Sequence, residues 1–329
     1  MASLPTLLYG TAWKDVRTAD LVLLAFMQGF RGVDTAGQPK HYKEDLVGQG
    51  LHAACDHLEL QRRDIWIQTK YTPTIGQDLS GPLPYNPDDP VEEQVCTSFQ
   101  RSLHNLFPGQ DIPNVKIALA EFAQRRGGKE KQRDPGLQPV YIDGYLLHSP
   151  LFTLESTMRA WRVFELLVDA GFVREIGFSN VYSPEIFSAL YNMARIKPSI
   201  LQNRWHSSTG HDVSLLSLLS PSLAPNTYPT RSDGSVPRGI LYQPFWTLTG
   251  NPALLRSESV VKMCIKHDLT PAQVVYAFVH QNLGIPGLPA CVLSGTTNEQ
   301  HMREAVAATQ IEPWSDEDVA MIRQEIYGE

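Results

Sequence analysis

With 329 residues the chain is long enough to bury a substantial core, and 42% hydrophobic with 19% charged residues excludes the disordered and fibrous classes. A net charge of -7 argues against nucleic acid as the main partner, since polyanion binders carry a basic excess or patch. Cys55, Cys96, Cys264 and Cys291 are scattered without a CxxC pair, so neither a disulfide framework nor a metal site is expected and a cytoplasmic setting fits best.

Met1 to Pro5 lacks the basic and apolar regions of a signal peptide, and no segment reaches the length of a membrane span. From there, short apolar runs alternate with helix-period segments. Thr6 to Gly10 reads as a strand, followed by a helix over Thr18 to Gln28 whose Leu21, Val22, Leu24 and Ala25 form an apolar stripe. Strands at Gly32 to Thr35 and Ile65 to Lys70 bracket a helix over Glu44 to His57, and a helix at Glu92 to Leu106 precedes a strand over Val140 to His148. Next come a helix at Glu155 to Ala170, a strand at Arg174 to Ser179, a helix at Pro184 to Met193 and a strand at Ser199 to Gln202. A strand at Gly239 to Tyr242, a helix at Ser257 to His267, a strand at Ala290 to Ser294 and helices at Glu299 to Thr309 and Asp316 to Tyr327 complete the series. Alternation of this kind with eight strands predicts an α/β protein, a (β/α)8 TIM barrel ahead of a doubly wound open sheet.

Two stretches break the rhythm, so residues 1–329 read as one barrel domain with irregular insertions at about 107–138 and 214–238. Phe107 to Gln138 is rich in Pro, Gly and charge and reads as a structureless connection; its basic run from Gln124 to Arg133 has no interleaved aromatics and reads as a solvated loop. In the second, Pro221, Pro225, Pro229 and Pro237 leave only Asp212 to Leu219 free to be helical.

Asp34, Lys70 and His148 end successive strands, and Tyr42 follows the first of them. Side chains at the carboxyl ends of barrel strands converge on one face, so a carboxylate, an amine, an imidazole and a phenol can there form one proton-transfer site. Lys70 also suits the Schiff base of a barrel aldolase, and a non-catalytic nicotinamide-binding sensor or silenced enzyme is compatible with the same fold. Gly48 to Ala53 has the letters GxGxxA but lies inside a helix-period segment rather than after a strand, so it is no dinucleotide fingerprint. Gly177 to Val181 fails the GxSxG nucleophile pattern at its last position.

In order along the chain stand Gly10-Thr11-Ala12-Trp13, Asp34-Thr35-Ala36, Tyr42 to Gly48, Tyr141 to His148, Arg174 to Asn180, Leu201-Gln202-Asn203 and Tyr242-Gln243-Pro244. In these motifs the sequence resembles the aldo-keto reductase superfamily, whose catalytic tetrad is an Asp, a Tyr, a Lys and a His. The resemblance implies carbonyl reduction by hydride from a reduced nicotinamide, with Tyr42 as proton donor, Lys70 lowering the cost of the phenolate, Asp34 holding Lys70, and His148 orienting the carbonyl. It further implies that Ser179, Asn180 and Gln202 hold the nicotinamide carboxamide, that Tyr242 stacks on its ring, and that Gln243, Gly295, Thr296, Thr297 and His301 contribute to the cofactor site.

Three residues separate this chain from the family spacing: Asp34 and Tyr42 lie eight positions apart where five is usual, so the loop through Gly37 to His41 must aim the phenol. Gly295 and His301 stand where the family commonly has the Lys and Arg that grip the adenosine 2′-phosphate. NADPH is expected on family grounds, with Arg303 nearby, and NADH is its competitor. Trp13, Trp205, Phe245 and Trp246 suggest an aromatic-lined pocket for a small apolar aldehyde or ketone. With only Ile311 to Glu329 after the last family-like helix, broad specificity is expected; nothing in the sequence defines an oligomeric state.

Overall fold

In a computed structural model, which describes residues 4–126, 137–222 and 239–328, all eight expected strands are present and mutually parallel. They are β1 (Leu7–Gly10), β2 (Gly32–Asp34), β3 (Trp66–Tyr71), β4 (Ile142–Leu147), β5 (Val173–Ser179), β6 (Ile200–Arg204), β7 (Leu241–Phe245) and β8 (Val292–Ser294). Neighbours in sequence are neighbours in space, in the order β7-β6-β5-β4-β3-β2-β1-β8. The ring closes where Tyr242 N donates to Pro289 O (2.9 Å) and Cys291 N donates to Tyr242 O (2.9 Å). This is the (β/α)8 barrel, and it rules out the open doubly wound sheet.

The helices are α1 (Thr18–Met27), α2 (Glu44–Leu58), α3 (Val91–Leu106), α4 (Val115–Arg126), α5 (Leu154–Asp169), α6 (Pro184–Met193), α7 (Val213–Leu219), α8 (Glu258–His267), α9 (Pro271–His280), α10 (Glu299–Ala308) and α11 (Asp316–Tyr327). Their starts follow from short polar side chains. Thr153, Ser183, Ser257, Thr270, Asn298 and Ser315 each accept a hydrogen bond from an amide three residues on, a cap worth about 1 kcal/mol.

Two helices depart from expectation. α4 lies inside the stretch read as a structureless connection: Asn114 Oδ1 accepts from Ile117 N, and Val115 and Leu119 are buried against the core with Phe122 packed beside them. α9 was not anticipated, although Thr270 and Gln273 form a reciprocal capping box ahead of Pro271. In the second irregular stretch, α7 is the helix expected over Asp212 to Leu219; residues 223–238 lie outside the described residues, as do 127–133 of the basic run.

Inside the barrel, alternate residues of each strand fill two successive layers. Leu8, Trp66, Leu146, Ile200, Leu241 and Cys291 form an apolar cluster there. Two residues further along β2, β3, β6 and β7 come Asp34, Gln68, Gln202 and Gln243, which hydrogen-bond to one another across the barrel. Gly144 makes room for this layer, since a Cβ there would lie 2.7 Å from Gln68 Oε1. The polar layer forms the floor of the site above it.

Candidate active site

Asp34, Lys70 and His148 reach the carboxyl end of the barrel from β2, β3 and the residue after β4. Lys70 Nζ lies 2.7 Å from Asp34 Oδ2 and donates to Thr35 O (2.9 Å), with no solvent exposure. Asp34 Oδ1 accepts from Gln68 Nε2 (2.7 Å) and Gln202 Nε2 (3.0 Å), so both carboxylate oxygens are engaged. A buried ion pair is tolerable only with such further donors.

The lengthened loop delivers Tyr42 to this pair. Gly37 N donates to Lys70 O (2.9 Å), while Gln38 O accepts from His41 N (3.0 Å) and Tyr42 N (3.1 Å), and His41 O accepts from Trp13 N (2.8 Å). Glycine is needed at position 37 because a Cβ would meet Ser98 Oγ at 2.9 Å and Lys70 O at 3.2 Å. The Tyr42 ring sits with its centroid 5.5 Å from Lys70 Nζ and 6.1 Å from the His148 ring, edge to face. The three extra residues are therefore absorbed in a tied turn, and the four groups meet.

Burial dominates their acidities. It raises the Tyr42 hydroxyl above the usual phenol range, reinforced by the Asp34 charge, and keeps the phenol protonated at neutral pH. Burial pulls the Lys70 ammonium down while Asp34 opposes it. His148 is held well below the usual imidazole range by burial and then by the Lys70 charge, so it is neutral. Its Nδ1 lies 2.7 Å from Thr72 Oγ1; with Thr72 as donor, Nε2 carries the remaining proton toward the pocket.

The cavity above these groups measures about 650 Å³, within the usual range for ligand pockets. Asp34, Tyr42 and His148 line it, with Lys70 sealed beneath them. Of the expected cofactor residues, Ser179, Asn180, Gln202, Gly295, Thr296 and His301 lie in its wall. Asn180 also braces the site: its Nδ2 donates to His148 O (2.8 Å) and its Oδ1 accepts from Tyr182 OH (2.9 Å).

Besides Lys70, four expected site residues lie outside that wall. Tyr242 points to the outer side of β7 and donates its hydroxyl to Asp212 Oδ2 (2.9 Å), so its ring is not on the pocket; Phe245, further along the strand, is. Gln243 is fully buried in the polar layer, bonded to Gln68 and Gln202. Thr297 is exposed at the start of α10, away from the cavity. Trp205 is fully buried beside His211 with ring centroids 4.7 Å apart, a packing residue rather than a pocket wall. Trp13 and Trp246 do form the rim, 69% and 51% exposed, and both have left-handed backbone (φ 60° and 62°), a strained choice for bulky residues that clusters at functional sites.

Four contributors escaped the sequence reading. Gln68 and Thr72 flank Lys70 at two-residue spacing on the same inward face, and Arg204 stands two residues beyond Gln202, in the pocket wall. Asn251 holds the rim loop through donations to Trp205 O, Trp246 O and Thr247 O. The spacing signal was available for the first three; Asn251 lies in a loop without period.

A nicotinamide dinucleotide fits this donor set in part. Ser179 and Gln202 offer polar groups at the floor, and Lys14, which donates to Gly295 O, adds a cation near the start of α10. Arg303 is paired with Glu299 (2.5 Å) and Gln300, so a 2′-phosphate at that helix start would compete with Glu299 for it. No group of acidic, His or Cys side chains suited to a metal occurs among the described residues, and no helix among them is long and apolar enough to cross a membrane.

Comparison with known proteins agrees with this fold. The Aldo/keto reductase family profile matches residues 135–214, which carry β4, β5 and β6. A curated NAD(P)H-dependent D-xylose reductase of Pachysolen tannophilus is 25% identical over 286 residues, covering 86% of this chain and 80% of its own. Among solved structures, the aldose reductase of Schistosoma japonicum superimposes with a TM-score of 0.67 at 21% identity, covering 99% of this chain and 89% of its own. An aldo-keto reductase of Bombyx mori in complex with NADP gives a TM-score of 0.67 at 18% identity, covering 99% and 90%. Over residues 135–214 the chain matches the Aldo/keto reductase family profile, and along most of its length it is similar to aldo-keto reductases.

Proposed function

We propose that this protein is a cytoplasmic NAD(P)H-dependent oxidoreductase, a single barrel domain with two insertions that reduces a small aldehyde or ketone to the alcohol or runs the reverse oxidation. One observation carries the reading: Tyr42, the Lys70 and Asp34 pair and His148 meet at one pocket whose floor also presents Ser179 and Gln202. When bound, the reduced nicotinamide supplies the hydride. Neutral His148 donates a hydrogen bond to the carbonyl oxygen and aims it at Tyr42. Tyr42, kept protonated by burial, gives its proton to the oxygen as negative charge develops there, and the nearby Lys70 ammonium offsets the charge left on the phenolate. Asp34 keeps Lys70 charged and in place. Ser179, Asn180 and Gln202 hold the carboxamide, and Phe245 takes the flanking role first assigned to Tyr242. Gly295, Thr296 and His301 receive the dinucleotide's far end, with NADPH modestly preferred over NADH; the xylose-reductase relatives described as NAD(P)H-dependent support use of either dinucleotide.

Two other readings lose support. An aldolase needs a free, accessible amine, whereas Lys70 Nζ is sealed under the floor with Asp34 and Thr35 O. A sensor without turnover needs none of the tetrad. Oxidation of NADPH and NADH by purified protein with an aldehyde panel tests the proposal, with Tyr42→Phe as control. Cofactor binding without turnover of any carbonyl would favour the sensor, and wild-type rates in Tyr42→Phe would remove Tyr42 from the acid role.

A further inference from the structure

Most arginines of the described chain whose guanidinium groups are tied down have a visible partner. Arg62 and Arg174 pair with Asp143, Arg159 with Glu92, Arg195 with Asp169 and Arg303 with Glu299, while Arg31 and Arg101 donate to backbone carbonyls. Arg204 differs. Its guanidinium makes no hydrogen bond or ion pair among the described residues, its Nε is buried without a partner, and the side chain lies in the wall of the active-site pocket. It is held there by ring faces alone, with its central carbon 4.3 Å from the Trp246 centroid and 5.9 Å from that of Phe245. Such stacking fixes the plane of the guanidinium while leaving its N–H groups to be used.

The surrounding charge points the same way. Among the described residues Asp34 is the one carboxylate in the pocket wall, and it is neutralised by Lys70. Lys14 adds a second cation across the mouth, beside Gly295. A buried, unpaired donor in a cationic pocket favours an anion, and a guanidinium fork matches the two oxygens of a carboxylate. Its height suits a group at the far end of a substrate. Arg204 follows Gln202 by two residues on the same inward face of β6, about 7 Å further from the floor. Gln202 itself contacts Asp34, beside the Tyr42 and Lys70 pair.

We propose that Arg204 binds an anionic group on the carbonyl substrate, so that the pocket selects aldehydes or ketones carrying a carboxylate, such as oxo acids, over neutral ones. The inference rests on the carbonyl-reducing reading above. It also narrows the expectation of an apolar, broadly chosen substrate. The rim tryptophans then serve the body of the substrate and the arginine its charged end.

The test compares 4-carboxybenzaldehyde with benzaldehyde in wild type, Arg204→Met and Arg204→Lys, at saturating NADPH. The expected wild-type preference for the carboxylated aldehyde in kcat/KM falls about ten-fold in Arg204→Met, through KM, and is partly kept in Arg204→Lys. Fluorescence titration gives the Kd for NADPH, expected to stay within about two-fold. A wild type without the preference, or an equal fall for both aldehydes, overturns the proposal; a fall confined to NADPH affinity assigns Arg204 to a phosphate of the dinucleotide instead. Calorimetric titration of benzoate against benzamide needs no turnover. If neither aldehyde is reduced yet benzoate binds better and does so through Arg204, the anion site stands and the reductase reading fails.

Discussion

Replacing Lys70 with methionine isolates the central ion pair. Methionine fills most of the stem's volume but removes both the counterion of Asp34 and, among the described residues, the only donor to its Oδ2, which Lys70 Nζ approaches to 2.7 Å. Breaking a buried pair from one side typically costs about 3–5 kcal/mol, because a charge is left uncompensated. Here Gln68 and Gln202 still donate to Oδ1, which places the loss at the lower end, about 3 kcal/mol. For 329 residues the unfolding entropy is about 0.7 kcal/mol/K, so the melting temperature should fall by about 4–5 °C. Neutralising the partner as well, in Asp34→Asn with Lys70→Met, should recover most of that fall, since two uncharged groups then face each other. Turnover should not recover: both variants lack the cation beside Tyr42 and should show kcat reduced by about a hundred-fold or more. Circular-dichroism melts and NADPH oxidation on the four proteins of this cycle measure both effects. A double variant as unstable as Lys70→Met alone would refute the account of Asp34, and one with restored kcat would refute the role of the ammonium.

Tyr42→Phe should cut kcat by about 10²- to 10⁴-fold while leaving the melting temperature within about 1 °C, since the hydroxyl has no hydrogen-bond partner among the described residues; a large loss of stability would show a structural role. His148 is neutral in the fold with a pKa well below 6.5, so the unfolded chain binds more protons between that value and 6.5 and stability falls as pH drops below 6.5; His148→Gln should flatten part of the decline in melting temperature from pH 7 to 5. Asp212 is raised by burial to about 6, so its contribution is fully present below its unfolded value and is lost as pH rises through about 6. Asp212→Asn keeps an acceptor for Asn203 and Tyr242 and should stabilise by about 3 kcal/mol at pH 8, a gain that is mostly lost by about pH 4; equal gains at both pH values would show that charge is not the cause.

The barrel was legible because each strand is a short apolar run set off by turn residues, and the described strands match those runs to within a few residues at each end. α4 was hidden because its apolar positions, Val115, Leu119 and Phe122, form a narrow stripe between stretches of Pro, Gly and charge. α9 is the opposite case. Its residues are buried along nearly the whole length, so Val274 to Val279 shows no polar face from which to read a helical period, and the Thr270 cap was the remaining signal.

Tyr242 shows why matching letters to a motif is weaker than counting along a strand. In a barrel, residues two apart share a face and neighbours take opposite ones. Gln202 reaches Asp34 and therefore faces inward; Gln243, paired with it in register, must do the same. Tyr242 is then forced outward, where Asp212 receives its hydroxyl, and Phe245 inward. The same count along β6 brings Arg204 to the pocket. That residue was overlooked because the sixth strand was ended at Gln202, where the run turns polar, whereas pairing with β7 continues to Arg204 and Phe245. Polar residues at the end of a barrel strand mark where the apolar core gives way to the site, so a strand boundary drawn by hydrophobicity stops short of the residues that meet the substrate.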